Sequence, residues 1–457
     1  MNYLIQNADA IFTPQDPTSQ GAVAATDIRI TDGFISEIGT RLTPAADDTL
    51  IDARGCVIYP GLVNTHHHLA QSLLKGVPGG LNQPLGEWLA EVPYRFWPKI
   101  TPQLMYYAAR LGLYELIRSG ATTCADHHYL YHAHSSQEVE DALWQAADEL
   151  GVRLVLCRGS ATIQGSHKGM QKAGIQPESL DQVLARLEHS RRRYHQPQGT
   201  AMRRLVVAPT SLVHSSIPEH LRELARYARA HQLKLHSHLL EVNFDDVQER
   251  QQYGMGAVDY AEHCEWLGSD VWFAHLVQAT ADDIERLAAT GTGIAHCPTS
   301  NCRLGSGITP VIAMQQARIP ISIGVDGSAS SESASLLQEL NLTWLLHRAL
   351  HGPRATDLAT VLNWGSRDGA RLLGLENIGT IEPGRAADLV LYAVDQPRFA
   401  GVHTPLYAPL LCGEPAQVKY SFVQGRPLVH KGEFVNLDET ELTARVREGI
   451  RDLLLRS

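Results

Sequence analysis

Between residues 57 and 326 the chain alternates short β-branched runs with longer amphipathic stretches. The pattern predicts strands over 57–68, 121–127, 153–159, 205–210, 233–239, 271–277, 293–297 and 319–326. Helical stretches lie between them. Thr101-Pro102 reads as an N-cap followed by proline at the first helical position, and the helix carries Leu104, Ala108, Leu111, Leu116 and Ile117. Thr280-Ala281-Asp282-Asp283 opens another helix, with Ile284, Leu287 and Ala288 on one face. Eight β-then-α units over about 300 residues predict an α/β fold, a closed (β/α)8 TIM barrel. The rival is a doubly wound open sheet, which the count of eight and the length disfavour.

Both chain ends read differently. Residues 25–30 and 33–38 flank Thr31-Asp32 like a hairpin. After about residue 378 short strands return, at 387–392 and 417–423, and 439–455 reads as a helix. The two ends therefore predict one small β-sandwich. The expected division is residues 1–58 and 379–457 for the sandwich and terminal helix, and 59–378 for the barrel.

Composition narrows the function classes. With 44% hydrophobic and 19% charged residues the chain is ordinary globular protein. A net charge of -10 without a basic run offers nothing to nucleic acid or to an anionic membrane. No apolar stretch approaches the roughly 18–20 residues of a membrane span. Met1-Asn2-Tyr3-Leu4-Ile5-Gln6 lacks the features of a signal peptide. The seven cysteines are scattered singly, which fits packing in a reducing cytoplasm better than a disulfide framework. Cys297 and Cys302 have a knuckle-like gap, but no second pair follows.

The chemistry lies at the strand ends, where such barrels place their sites. The first strand ends Asn64-Thr65-His66-His67-His68. Alternation along a strand aims His66 and His68 at one point and turns His67 away. The fifth ends His236-Ser237-His238-Leu239-Leu240-Glu241, the sixth Ala274-His275, and the eighth Gly324-Val325-Asp326. Three imidazoles and a carboxylate suit one divalent ion with a position left for water, which the ion acidifies. His236 and His238 share a strand face, so spacing does not choose between them.

This constellation resembles the amidohydrolase superfamily, in the branch that deaminates purines, pterins and triazines. The resemblance runs from the first strands through Pro60-Gly61-Leu62-Val63-Asn64-Thr65-His66-His67-His68 to Ile381-Glu382-Pro383-Gly384-Arg385-Ala386-Ala387-Asp388. It implies metal ligation by His66, His68, His238 and Asp326. Glu241 would shuttle protons to a ring nitrogen. His275 would contact the attacking oxygen or the developing oxyanion, and Asp326 would also accept a proton from water. The His-x-x-Glu pattern favours His238 over His236. Related enzymes carry a bridging lysine on the fourth strand. Residues 205–210 contain none, which implies one ion per subunit, zinc first, with iron or manganese as alternatives. His263-Cys264-Glu265 mimics half of another zinc-deaminase motif, lacks its Pro-Cys-x-x-Cys partner, and is read as helix surface.

Within the branch, residues 68–76, 124–129, 156–159, 295–301 and 324–328 resemble the bacterial isoxanthopterin deaminases and the neighbouring 8-oxoguanine deaminases. The implied substrate is a small fused 2-amino-4-oxo heterocycle: isoxanthopterin first, giving violapterin and ammonia, then 8-oxoguanine. A triazine amino- or chlorohydrolase and a catalytically dead barrel acting in assembly are the alternatives. Gln71 offers a donor and an acceptor, Arg158 a guanidinium fork, and Trp88 either a stacking face or a loop anchor. Relatives of this kind are often homo-oligomers.

Overall fold

The computed structural model describes residues 2–13, 25–165 and 169–455. Residues 1, 14–24, 166–168 and 456–457, which include parts of both expected end segments and the first residue of the N-terminal reading, lie outside the described residues.

Eight parallel strands follow one another in sequence order: β1 (Leu62–His67), β2 (Ala121–His128), β3 (Arg153–Ser160), β4 (Arg203–Pro209), β5 (Lys234–Leu239), β6 (Val271–His275), β7 (Gly293–His296) and β8 (Ile321–Ile323). Every residue of β2 and β3 is buried, because a helix layer covers one face and the barrel interior the other. On β3, Leu154 and Leu156 join the helix-side core, while Val155 and Cys157 join Val63, Ala125, Val206, Ala208 and Trp272 inside. The helices begin where their caps direct. Pro102–Arg118 starts at Thr101, whose hydroxyl accepts from Leu104 N–H, and Ala281–Thr290 starts with a Thr280–Asp283 capping box.

The ring closes between β1 and the segment after β8 through few bonds. Asp326 N–H donates to His66 O (3.1 Å). Val325 N–H donates to Asn64 Oδ1 (3.0 Å), and the Thr65 hydroxyl donates to Ile323 O (3.0 Å). A Cβ at Gly324 would stand 2.7 Å from the His66 Cβ, so only glycine lets the seam close this tightly.

Two sheets flank the barrel. One is built from Asn2–Gln6, Asp27–Thr31, Phe34–Gly39 and Asp48–Asp52. The other takes strands from both chain ends, including Cys56–Pro60, Leu389–Ala393 and Gln417–Val423. Ile5, Ile28, Ile30, Ile35, Ile51, Ile58, Leu389, Leu391 and Phe422 fill the core between them. The hairpin turn is Asp32-Gly33, one residue later than the sequence pattern placed it. Both residues have positive φ (51° and 85°), as a tight two-residue turn requires.

Three strand readings need correction. The expected strand 57–68 is two strands: Cys56–Pro60 pairs antiparallel with Leu389–Ala393, and β1 begins at Leu62. The break falls at Pro60-Gly61, a turn pair inside the apolar run. β6 stops at His275, where φ turns positive (75°), and β8 spans three residues rather than eight. Cys264, read as surface, is buried.

One buried ion pair ties the sandwich to the barrel floor. Arg153, at the start of β3 and fully buried, meets both carboxylate oxygens of Asp388 (3.2 and 3.1 Å) and donates to Thr200 O and Ala201 O. Asp388→Ala leaves that guanidinium without a counterion, which costs about 3–5 kcal/mol. We expect a lower denaturation midpoint for the variant; an unchanged midpoint would show that the pair carries no net stability.

Candidate active site

The C-terminal ends of β1, β5, β6 and β8 open onto one cavity lined by His68, Gln71, His238, Glu241, His275 and Asp326. His66 is fully buried, with its Nε2 3.4 Å from Asp326 Oδ1, and His68 Nε2 lies 3.3 Å from the same oxygen. His238 Nε2 lies 3.2 Å from His68 Nε2. The residues predicted as a ligand set from four strand ends are thus brought together.

The far ring nitrogens decide what faces the centre. His68 Nδ1–H donates to His127 O (2.7 Å) and His238 Nδ1–H to Thr210 O (2.6 Å). His236 Nδ1–H donates to Trp272 O (2.9 Å), so its Nε2 accepts from His66 Nδ1–H (2.9 Å). His236 therefore orients His66 from behind, and His238 is the residue of the pair that faces the cluster. All three Nε2 atoms present lone pairs inward, the arrangement in which second partners fix metal-binding imidazoles. Lone pairs 3.2 Å apart beside a carboxylate call for a cation between them.

The electrostatics agree. Burial holds His66 down to about 4 and His238 well below the usual histidine range, so both are neutral donors. His68 moves up: burial opposes its charge, but contact with Asp326 outweighs that. Asp326 is held well below the carboxylate range, since the neighbouring His66 and His68 rings outweigh the burial that would raise it. The Ser300 hydroxyl (2.5 Å) and Ser330 hydroxyl (3.3 Å) donate to its Oδ2, and Gly327 N–H (2.7 Å) to its Oδ1.

Beside this cluster His275 Nδ1–H donates to Asn301 Oδ1 (2.9 Å), and His275 Nε2 lies 3.6 Å from Glu241 Oε2. Burial pushes Glu241 up to about 7, where a carboxyl both gives and takes protons near neutrality. Leu240, His275 and Asp326 all have positive φ (53°, 75° and 57°), a conformation that costs non-glycine residues energy. The seam bond and the Thr309 hydroxyl on His275 O (2.9 Å) hold the last two there.

Of the three residues expected to bind substrate, two reach the cavity. Gln71 donates to the Tyr129 hydroxyl (3.2 Å), and its Oε1 is buried without a protein partner. Trp88, on helix Leu85–Glu91, lines the wall with Tyr94, Trp97 and Tyr129. Arg158 does not line it, which corrects the sequence reading. Its guanidinium is buried against Glu178 (2.8 and 2.7 Å) and lies 3.8 Å from the Tyr131 ring centroid, because the strand end turns it toward the helix layer. Motif spacing missed His214 and Asp245, which also line the cavity and pair at 2.9 Å. A histidine four residues beyond Thr210 and a carboxylate four beyond Glu241 were the available signals.

Arg158→Met should lower the thermal midpoint yet leave KM within about twofold, since the buried pair it breaks does not line the cavity; a large rise in KM would restore a binding role. Glu249, one turn past Asp245, is fully buried with neither oxygen partnered, and burial raises it from its ordinary 4.5 to about 9. A raised folded value means stability is retained below 4.5 and lost as pH climbs through 9. Glu249→Met should therefore gain on the wild type in thermal melts between pH 5 and pH 9; a constant difference would refute the protonated carboxyl.

Known proteins match this description. The amidohydrolase family pattern matches residues 57–428. The chain is 43% identical to an isoxanthopterin deaminase from an unknown prokaryotic organism, over 99% of this chain and 97% of that protein. It is 38% identical to an 8-oxoguanine deaminase of Pseudomonas aeruginosa PAO1, over 98% of each. Among solved structures, atrazine chlorohydrolase TrzN from Arthrobacter aurescens TC1, complexed with zinc, superposes with a TM-score of 0.90 at 28% identity, covering 98% of this chain and 100% of that one. With most of its length matched and the strand-end ligand set assembled, the chain belongs to the amidohydrolase family.

Proposed function

We propose that this protein is a metal-dependent hydrolytic deaminase of fused nitrogen heterocycles, acting on isoxanthopterin to give violapterin and ammonia. The observation that carries the reading is the meeting of His66, His68, His238 and Asp326 beside the Glu241–His275 pair in one cavity. Those four residues would hold one divalent ion, zinc by analogy with the structural neighbour. Such an ion supplies positive charge that makes hydroxide available near neutrality.

The chain's own groups do the rest. Asp326 accepts a proton from the attacking water. Glu241, balanced near neutrality by burial, hands its proton to the ring nitrogen; the departing amine then takes the proton held by Asp326, and the hydroxyl proton of the adduct returns to Glu241. His275, whose Nδ1–H is tied to Asn301, turns the lone pair of Nε2 toward the site, where it accepts a hydrogen bond from the attacking water and holds its oxygen in place. The carbon–oxygen bond forms, the carbon–nitrogen bond breaks, and ammonia leaves. The aromatic wall of Trp88, Tyr94 and Trp97 suits a flat ring, and the free Gln71 Oε1 suits a lactam N–H. The 8-oxoguanine reading keeps the same chemistry and rests on the second relative.

Purified protein assayed for ammonia with isoxanthopterin, 8-oxoguanine, guanine and pterin should favour isoxanthopterin in kcat/KM; no ammonia from it refutes the substrate. Chelation should abolish turnover and added zinc restore it. Glu241→Gln should lower kcat by about 10²–10⁴ with the fold intact, the usual contribution of a positioned proton carrier. Near wild-type turnover in that variant would remove Glu241 from the mechanism.

A further inference from the structure

His214 and Asp245 line the cavity, and the deamination chemistry gives them no task. Both are buried. His214 Nε2–H donates to Asp245 Oδ1 (2.9 Å), and the Phe244 ring stacks on the imidazole, with 5.4 Å between centroids. These contacts fix where the carboxylate lies. Asp245 Oδ2 makes no hydrogen bond among the described residues, so it remains an acceptor. Asp245 follows Glu241 by four residues and lines the same cavity. Its charge reaches Glu241: burial above all, with the charges of Asp326 and Asp245 adding to it, keeps the proton on that carboxyl. Phe244 is 41% exposed, so the pair stands nearer the mouth than the fully buried His66 does.

Substrate chemistry supplies the complement. The carbon that loses its amine stands at the histidine cluster, with the bare ring nitrogen beside it turned to Glu241. On that same edge of the fused rings, past the fusion carbon, comes a nitrogen of the second ring. In isoxanthopterin this nitrogen carries hydrogen, because the carbon next to it is an oxo carbon. In pterin the same position is a bare nitrogen. A carboxyl that donates, followed outward by a carboxylate that accepts, matches a bare nitrogen followed by an N–H. A bare nitrogen in the second place sets two acceptors against each other and leaves the buried carboxylate oxygen without a donor.

We propose that Asp245, held by His214, is a specificity-determining residue that accepts the second-ring N–H and so selects fused heterocycles whose second ring is a lactam. The inference rests on the deaminase reading, with Glu241 as proton donor to the first ring. 8-Oxoguanine carries an N–H at the equivalent place, so the same selection admits it.

The test compares KM for isoxanthopterin with the inhibition constant of pterin against it, in the full-length wild type and in Asp245→Asn. In the wild type pterin should bind about tenfold or more weakly, the usual loss when a hydrogen bond to a charged group fails. In Asp245→Asn the side-chain amide turns its NH2 to a bare nitrogen, so KM for isoxanthopterin should rise, pterin should bind more tightly, and the ratio should fall about tenfold or more. A residue that served only the fold would weaken both ligands alike; a ratio unmoved by the substitution overturns the proposal. Equal binding of the two rings by the wild type overturns it as well, even if the variant does not fold. No ammonia from isoxanthopterin in the wild type overturns the substrate reading together with this one, whereas ammonia released with an unmoved ratio overturns this one alone.

Discussion

One backbone hydrogen bond, from the Asp326 amide to the His66 carbonyl, does two things at once. It closes the barrel between its first and last strands, and it fixes the distance between two residues whose side chains face the same point. The side chains of Asn64 and Thr65 reinforce it from β1, and the missing Cβ at Gly324 permits it. The rest of the site inherits this geometry. Asp326 is forced into positive φ, its carboxylate is turned toward His66 and His68, and serine hydroxyls behind it hold that orientation. A looser seam would separate the donors whatever their identity.

The site is electrostatically economical. Few charges are buried there, because the imidazoles of His66, His236 and His238 are kept neutral by burial and their far nitrogens are matched to carbonyls or to another imidazole. The negative charge of Asp326 is the main exception, and it is balanced by His68 and hydroxyl donors. Glu241 sits apart from that balance and stays near neutrality, which suits a group that must load and unload a proton. The difference between the two carboxyls follows from what each touches, since both are buried.

Much of this was legible in the residues. The eight-fold alternation gave the barrel, and strand periodicity separated His66 and His68 from His67, whose ring indeed accepts from the His68 amide rather than joining the cluster. The His-x-x-Glu spacing pointed to His238 and Glu241. What stayed hidden depends on contacts between distant segments. Arg158 has the chemistry of a substrate clamp, but Glu178, on another segment, claims its guanidinium. His236 and His238 have the same periodicity, and the role of His236 behind His66 is visible only from the positions of Trp272 and His66. Pro60-Gly61 was a local signal for the break, but the partner that makes Cys56–Pro60 a strand of the other sheet, Leu389–Ala393, lies more than 300 residues away.

That last pairing has a consequence for assembly. Pro60 lies opposite Leu389, and Gly61 N–H donates to Asp388 O (2.8 Å), so the whole barrel segment is a loop whose ends the sandwich holds side by side. Closing a chain this long from free ends is entropically expensive, though the cost grows only logarithmically with length. Once the sandwich forms, part of that cost is already met, and β1 and β8 meet at a high effective concentration. The small domain thus works as a clasp for the larger one. It acts from the face opposite the cavity, where it can favour closure without restricting the loops that meet substrate.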